Sequence, residues 1–159
     1  MRGHVTNELD VDLPADEIWA IYRSPEFPKL ILGMLPPGVL EKLEVVEGDG
    51  GAGCVLHIIL APGSPEPREW MEEFVEINNE KKVKRVRMIQ GGFLDLGFNF
   101  YENVFEITEI DECSCVYKSS VIYEADDNKF STSAPLVSAA SAWGIPYAIA
   151  NHIMERKDM

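Results

Sequence analysis

Six consecutive segments of the chain alternate apolar and polar side chains with a period of two, and this pattern strongly limits the possible folds. The segments span residues 40–47, 53–61, 68–77, 82–89, 98–107 and 114–123, and turns containing Gly, Pro, Asn or Asp separate them. A period of two is typical of half-buried strands, and such short turns join neighbours at hairpin spacing. The pattern therefore predicts an antiparallel sheet.

Helical signals flank these strands. A first strand is predicted over residues 4–13, and Leu13-Pro14-Ala15-Asp16-Glu17 then opens a helix, because proline and acidic residues suit a first turn. Residues 25–35 predict a second short helix, and residues 133–157 predict a long one that Pro146 should kink. Successive strands with helices gathered on one face indicate an α+β fold, in a single domain of residues 1–159. A hollow between the sheet and the long helix would suit an apolar small molecule, although a solid core fits the same pattern.

Charge excludes some partners. The chain has 27 acidic and 14 basic residues, a formal net charge of −13, which argues against binding to nucleic acids or to anionic membrane surfaces. Residues 130–154 lack Asp, Glu, Lys and Arg, but serines, Asn151 and two prolines interrupt them. This composition favours a packed helix over a membrane span. Three cysteines and the lack of a recognisable secretory leader predict a cytoplasmic location.

Two motifs invite a ligand interpretation, and a simpler one is favoured for each. Cys113-Ser-Cys115 could be part of a metal site, but the three histidines are scattered and no set of four ligands is apparent, so no metal is expected. The glycine-rich residues 47–53 look like a phosphate loop. A strand pattern follows them, whereas a phosphate loop runs into a helix, so a tight turn with positive φ angles is the better interpretation.

The hairpin formed by residues 68–77 and 82–89 carries the candidate chemistry. A three-residue loop over 78–80 would place Ile77 opposite Lys81, Glu73 opposite Arg85 and Met71 opposite Arg87. The other face would then carry Trp70, Glu72, Phe74 and Glu76 against Met88, Val86, Lys84 and Lys82.

On that face Glu72 lies between two aromatic side chains, Trp70 and Phe74. Poor solvation raises the pKa of a carboxyl group, and Lys84 would lie diagonally across, within reach of an ion pair. A carboxylate tuned in this way can act as a general base, and an amine can polarise or capture a carbonyl group. An ordinary surface Glu–Lys pair is an equally good interpretation of these residues.

Other polar side chains are weaker candidates. Asn99, Tyr101, Asn103 and Phe105 should alternate on one face of the next strand, where the polar groups could bind a ligand or satisfy each other. His57 is a single histidine in an apolar strand, so a satisfied or solvent-facing role is favoured over catalysis.

Several stretches resemble the plant pathogenesis-related class ten (Bet v 1-like) family, and most closely its branch of norcoclaurine and norbelladine synthases. The most specific is Met88-Ile89-Gln90-Gly91-Gly92-Phe93-Leu94-Asp95-Leu96-Gly97. The others are the glycine-rich loop, Leu9-Asp10-Val11, Pro14-Ala15-Asp16-Glu17-Ile18-Trp19, Leu35-Pro36-Pro37-Gly38 and Glu41-Lys42-Leu43-Glu44. The resemblance spans nearly the whole chain.

The resemblance implies a helix-grip fold, in which a seven-stranded curved sheet around a long C-terminal helix encloses a hydrophobic cavity. It also implies a cofactor-free Pictet–Spengler condensation, which in norcoclaurine synthase joins dopamine to 4-hydroxyphenylacetaldehyde. Glu72 matches the family's general base and Lys84 matches its catalytic lysine, whereas Trp70 and Asn103 replace the family's active-site Tyr and Asp. The implied substrate-binding residues are Trp70, Phe74, Asn103, Tyr101, Phe105, Ile58, Met88, Phe93, Leu40 and Ile145.

Three functions follow from this sequence. The first is a lyase that acts on an aromatic amine and an aldehyde in plant alkaloid biosynthesis. The second is a carrier or storage protein for amphipathic plant metabolites, and the third is an alkaloid isomerase in which Glu72 shuttles a proton. All three predict a small aromatic or alkaloid-like ligand and a chain that is a monomer or a weak homodimer.

Overall fold

A seven-stranded antiparallel sheet dominates the computed structural model, which describes residues 2–34, 38–64 and 67–125. The strand order is β1-β7-β6-β5-β4-β3-β2. The strands are β1 (Arg2–Val11), β2 (Leu40–Glu47), β3 (Val55–Leu60), β4 (Glu69–Asn78), β5 (Val83–Gly91), β6 (Phe98–Asp111) and β7 (Ser114–Ala125). Helices α1 (Ala15–Tyr22) and α2 (Phe27–Met34) connect β1 to β2, and a short 3-10 helix (Gly92–Leu96) follows β5. The predicted α+β fold with seven strands is confirmed.

Some predictions concern other parts of the chain. The long helix over 133–157, its kink at Pro146 and the uncharged stretch 130–154 lie outside the described residues. Within the described ranges, no helix is long and apolar enough to cross a membrane.

The two short helices bury one face each against the sheet. Helix α1 follows Pro14 and carries Asp16 and Glu17 in its first turn, where the positive end of the helix dipole favours acidic groups. Its buried residues, Ala15, Ile18, Trp19 and Tyr22, recur at helical spacing. Helix α2 buries Phe27, Pro28 and Ile31. Both helices thereby contribute to the core that underlies the site.

The core consists of two clusters. The first joins the buried faces of α1 and α2 to inward-facing residues of the sheet such as Leu56, Phe74 and Val86. The second includes Met88, Phe93, Phe98, Tyr101, Val121, Tyr123 and Ala125. Trp70 packs against both clusters, so it lies where they meet.

The predicted register of the β4–β5 hairpin is wrong, although its central faces are right. The innermost pair is Asn78 with Val83, so the loop has four residues, and Lys82 closes it with a φ of 53°. The side chain of Asn78 stabilises this loop, because its Oδ1 accepts a hydrogen bond of 2.9 Å from the backbone N–H of Lys81. Glu72 is consequently opposite Met88 instead of Val86, a shift of two residues, which preserves the face.

Register irregularities move individual side chains. An extra residue in β4 between Phe74 and Glu76 places Glu76 opposite Arg85, and the two form an ion pair of 3.3 Å. Glu76 is therefore not on the face of Glu72, and Glu73 is opposite Arg87. A similar irregularity at Asn99 in β6 leaves that residue exposed and off the face where alternation placed it.

The glycine-rich segment 47–53 forms a turn that leads into strand β3. Gly48, Gly50 and Gly53 have φ angles of 87°, 96° and 91°, a region that side chains disfavour. A Cβ atom at Gly50 would lie 1.9 Å from the backbone oxygen of Pro25, so only glycine fits there.

Candidate functional site

The strand pairing brings the main candidate residues to one face of the sheet. Glu72 lies between Leu56 and Met88 on the neighbouring strands, and Asn103 lies between Val86 and Val121. Residues directly opposite each other share a face, so alternation along β4 and β5 puts Glu72, Lys84 and Asn103 on the side that packs against the core. The face predicted from the sequence is the one that carries the candidate site.

Lys84 is fully buried, with 0% of its surface exposed. Its Nζ donates a hydrogen bond of 3.1 Å to the backbone oxygen of Tyr22. The same atom lies 3.5 Å from the centroid of the Phe27 ring and 3.8 Å from that of Phe74. Burial lowers the pKa of Lys84 from 10.5 to about 7, although Glu72 and Cys54 partly oppose this shift. A lysine in this state can both donate and accept a proton near neutral pH.

The pKa of Glu72 is shifted in the opposite direction, upward. Burial raises the pKa of its carboxyl group, while a hydrogen bond from Trp70 and the charge of Lys84 lower it in part. The Nε1–H of Trp70 donates to Oε1 of Glu72 at 2.8 Å. One carboxylate oxygen is therefore held by the indole, and within the described residues no side-chain hydrogen bond is made by Oε2.

Within the described residues, Lys84 and Glu72 do not form the ion pair that the predicted diagonal would allow. The amine is directed to the backbone oxygen of Tyr22, and the carboxylate is directed to Trp70. The two groups still influence each other's pKa through their charges. This separation leaves each group with its own partner and its own environment.

The neighbouring strand contributes three predicted residues. Tyr101 is buried and stacks on Phe93, with ring centroids 4.6 Å apart. Burial and the nearby charge of Glu72 raise the pKa of its hydroxyl, so it is a neutral hydrogen-bonding group. Asn103 is half-buried, and Phe105 lies opposite Lys84 in the sheet.

Most of the other predicted lining residues belong to the two core clusters. Four of them are buried there, Phe74, Ile58, Met88 and Phe93, and Leu40 is half-buried against the first cluster. Ile145 lies outside the described residues.

Two residues that contact Lys84 were missed by sequence reasoning. Neither Tyr22 nor Phe27 was among the predicted site residues, and Tyr22 contacts the amine through its backbone oxygen, which carries no sequence signal. Their spacing does fit a corner between two helices, as Ser24 and the Pro25 that follows it suggest. A third missed neighbour is Cys54, a buried thiol that acts electrostatically on the pKa of Lys84.

A separate groove of about 600 Å³ borders β3, β4 and the 3-10 helix. His57 lies in its wall, bonded to Glu69 at 2.7 Å, and it is opposite Met71 in the sheet. His57 and Met71 therefore point away from the face of Glu72, while Trp70 lines one side of the groove. This placement agrees with the expectation that His57 is a satisfied or solvent-facing histidine.

Metal ligands are not gathered anywhere in residues 2–34, 38–64 and 67–125, where no group of three or more His, Cys, Asp or Glu could hold an ion. Cys113 is exposed and Cys115 is buried, and both are free thiols.

Comparison with known proteins agrees with the fold. Residues 1–142 match the model of the pathogenesis-related protein Bet v 1 family. The chain is 40% identical over 157 residues to S-norcoclaurine synthase 1 of Papaver somniferum, covering 99% of this chain and 68% of that protein. It is 37% identical over 162 residues to norbelladine synthase of Narcissus pseudonarcissus, covering 99% and 95% of the two chains.

A solved structure gives the same result. The X-ray structure of norcoclaurine synthase from Thalictrum flavum in complex with dopamine and hydroxybenzaldehyde matches with a TM-score of 0.91 and 35% identity. The match covers 98% of this chain and 88% of that one. The predicted resemblance is thus confirmed at the level of sequence and of fold, and this chain belongs to the Bet v 1 family.

Proposed function

We propose that this chain is a norcoclaurine-synthase-like lyase of plant alkaloid biosynthesis, which joins an aromatic amine to an aldehyde by a Pictet–Spengler condensation. The observation that carries the proposal is the pairing on one face of a buried amine whose pKa is about 7 with a carboxyl group whose pKa is raised. Two groups whose pKa values are shifted toward neutral pH from opposite directions are suited to exchange protons with one substrate. Side chains alone supply this chemistry, so the proposal needs no cofactor.

The reaction has two proton-transfer stages. The substrate nitrogen first adds to the aldehyde carbon, and the oxygen takes one proton from that nitrogen and a second from the Lys84 ammonium. The oxygen then leaves as water, which yields an iminium ion. The aromatic ring then attacks the iminium carbon, which forms the new C–C bond. Glu72 removes the proton from the attacked ring carbon through Oε2 and restores aromaticity. One amine and one aldehyde thereby give one cyclic amine and one water.

The substrate of this chain differs from that of a relative with Tyr and Asp at the two replaced positions. Trp70 cannot act as a phenolic acid, and its indole is larger than a phenol ring. Asn103 offers an amide where an acid would attract the amine by charge. We therefore expect the proton-transfer pair to act on an aromatic substrate that depends less on charge for its positioning.

One observation favours a carrier as the second candidate. Both proposed catalytic groups already have a partner inside the protein, Lys84 with the Tyr22 carbonyl and Glu72 with Trp70. In a carrier these contacts would only satisfy buried polar groups, and neither side chain would be needed for binding.

The test is turnover of dopamine and related aromatic amines with a panel of aromatic aldehydes, with the cyclic product measured by chiral chromatography. Glu72→Gln and Lys84→Met should each lower turnover by about 10²–10⁴-fold, the contribution typical of a positioned acid or base. Matched controls are Glu73→Gln, at a position opposite Arg87 on β5, and Lys118→Met, at a position opposite Glu8 on β1.

Two results would contradict the lyase. If the Glu72 and Lys84 variants turn over like the parent protein, the pair is not catalytic. If the parent forms no product but binds and releases a fluorescent apolar probe saturably, the carrier is supported instead.

Location and assembly complete the proposal. The three free thiols fit a reducing, cytoplasmic compartment, and we propose a chain that works as a monomer or weak homodimer.

A further inference from the structure

The corner between α1 and α2 encloses the amine of Lys84. Helix α1 ends at Tyr22, and Phe27 starts α2 with its N–H bonded to the Ser24 carbonyl at 3.0 Å. The Phe27 ring stacks on the Tyr22 ring, with centroids 5.4 Å apart and planes inclined by 28°. One short turn therefore delivers a ring and a carbonyl group to the same place.

Three groups from two layers of the fold surround the amine. The corner supplies the Tyr22 carbonyl at 3.1 Å and the Phe27 ring at 3.5 Å, and β4 supplies the Phe74 ring at 3.8 Å. The Phe27 and Phe74 rings meet edge to face, with an angle of 70° between their planes. A cation placed over the face of an aromatic ring is attracted by its quadrupole, most strongly where water is excluded.

The end of α1 adds to this attraction. The last carbonyl groups of a helix form the negative end of its dipole, where a cation is favoured. Helix α1 has no basic residue in its own last turn. The carbonyls of Trp19 and Ile21 accept backbone N–H groups, and that of Tyr22 accepts the amine from β5. Arg23, the C-cap residue of α1, is exposed, so Lys84 is a buried cation at this helix end, contributed by another element of the fold.

Other titratable groups near the amine are few among the described residues. Cys54 precedes β3, and the hydroxyl of Tyr22 is bonded to that of Tyr117 on β7. Burial raises the pKa of all three groups, so they are neutral at working pH. Glu72 on β4 carries the remaining nearby charge, and it makes no direct contact with the amine. The rings and the carbonyl therefore make the contacts that favour the ammonium form.

We propose that Phe27 is a positioning residue of the reaction, whose ring, together with the Tyr22 carbonyl, holds the Lys84 ammonium in place and favours its charged form. This inference rests on the proposed function, in which protonated Lys84 is the acid. Without the ring the charged form loses an attractive contact, so Lys84 gives up its proton at lower pH. The alkaline limb of the pH–rate profile should then move to lower pH.

The test compares Phe27→Leu with Phe27→Tyr, which keeps a ring, and with Phe98→Leu, a buried aromatic of the second cluster. The readouts are the pH dependence of kcat/KM and the titration of Lys84 by NMR in protein labelled with [¹³Cε]lysine. Phe27→Leu should move both the alkaline limb and the Lys84 titration about one pH unit lower, as expected for a desolvated cation–π contact. Phe27→Tyr should leave both at their values in the parent protein. Phe98→Leu should change stability without moving either.

The two readouts separate this inference from the function on which it rests. Folded Phe27→Leu with an unchanged Lys84 titration overturns the inference, even if the parent protein is active. A parent protein without turnover overturns the proposed function, and the NMR titration still decides whether Phe27 controls the charge of the amine.

Discussion

The two halves of the site are held in opposite ways. Lys84 is held by groups from distant parts of the chain, a helix end, a helix start and a neighbouring strand. Glu72 is held by a side chain only two residues away on its own strand. As whole residues, Lys84 is completely buried, whereas Glu72 is half-buried.

This contrast explains why the two proton affinities are controlled differently. For Lys84 burial is the largest effect on the pKa, and the charges of Glu72 and Cys54 oppose it only in part. The contacts of the amine come from the α1–α2 corner and from β4, which only the assembled fold brings together. For Glu72 the strand itself provides the hydrogen bond that opposes burial. A change in packing should therefore act mainly on the amine, and a change of a single neighbour should act mainly on the carboxylate.

The strongest test of the contrast is the pH dependence of stability in Lys84→Met and Glu72→Gln. The folded pKa of Lys84 is about 7 against 10.5 in the unfolded chain, so the unfolded state binds more protons between these values and stability rises with pH there. At about 1.4 kcal/mol per unit, the rise is on the order of 4 kcal/mol, and Lys84→Met should abolish it. Denaturant titrations from pH 6 to pH 10 measure it.

Glu72 should make the stability depend on pH in the opposite direction, and in a different pH range. Its folded pKa is raised above the ordinary 4.5, so the folded state keeps a proton that the unfolded state has lost, and stability falls as the pH rises through that range. Glu72→Gln should remove this decline, with Glu73→Gln as the control. Equal pH profiles for the Lys84 and Glu72 variants would refute the contrast between the two halves.

The next effect concerns the indole that holds Glu72. Trp70→Phe removes the N–H but keeps a ring, so the carboxylate loses a charge-assisted hydrogen bond and its pKa should rise by about one unit. The acid limb of the pH–rate profile should move upward by the same amount. Trp19→Phe is the matched control, because its indole N–H binds Asn79 at 3.0 Å, away from Glu72. If the acid limb moves in both variants, the shift reflects a general loss of packing and not the loss of the hydrogen bond to Glu72.

The smallest effect is expected at Asn103. Asn103→Asp restores the acid of the family pattern on the same face as Glu72 and Lys84. The added negative charge should raise the pKa of both groups and lower the KM for a cationic amine by a few-fold, with kcat changed less. Steady-state kinetics at two ionic strengths measures this, since screening should reduce the gain. A KM that does not change would mean that Asn103 does not face the bound amine.

Much of the fold could be predicted because local patterns decide it. Alternation and turn residues located all seven strands, and Pro14 with the acids after it located α1. The register of the β4–β5 hairpin could not be predicted, because it depends on the Asn78 side chain, the positive φ of Lys82 and an irregularity within β4. These features have no period that a sequence pattern can reveal.

The site was predictable to a similar extent. Alternation with Trp70 and Phe74 identified Glu72 as a carboxylate with little water around it, and the family pattern identified Lys84. The partner of Lys84 could not be predicted, since a backbone carbonyl at a helix end is contributed by conformation and not by residue type. The hydrogen bond between Trp70 and Glu72 needed the side-chain geometry of one strand.

The irregularity in β4 has a consequence for how this protein can diverge. Because one extra residue follows Phe74, the stretch from Trp70 to Phe74 presents its even positions to the core, and the remainder of the strand presents the other set. Glu76 and Arg85 form their ion pair on the outer side of this second stretch. Mutations in the first stretch can therefore alter reactivity while the second keeps the strands aligned. Substitutions in the first stretch can therefore change which substrates fit while the pairing of the two strands is kept.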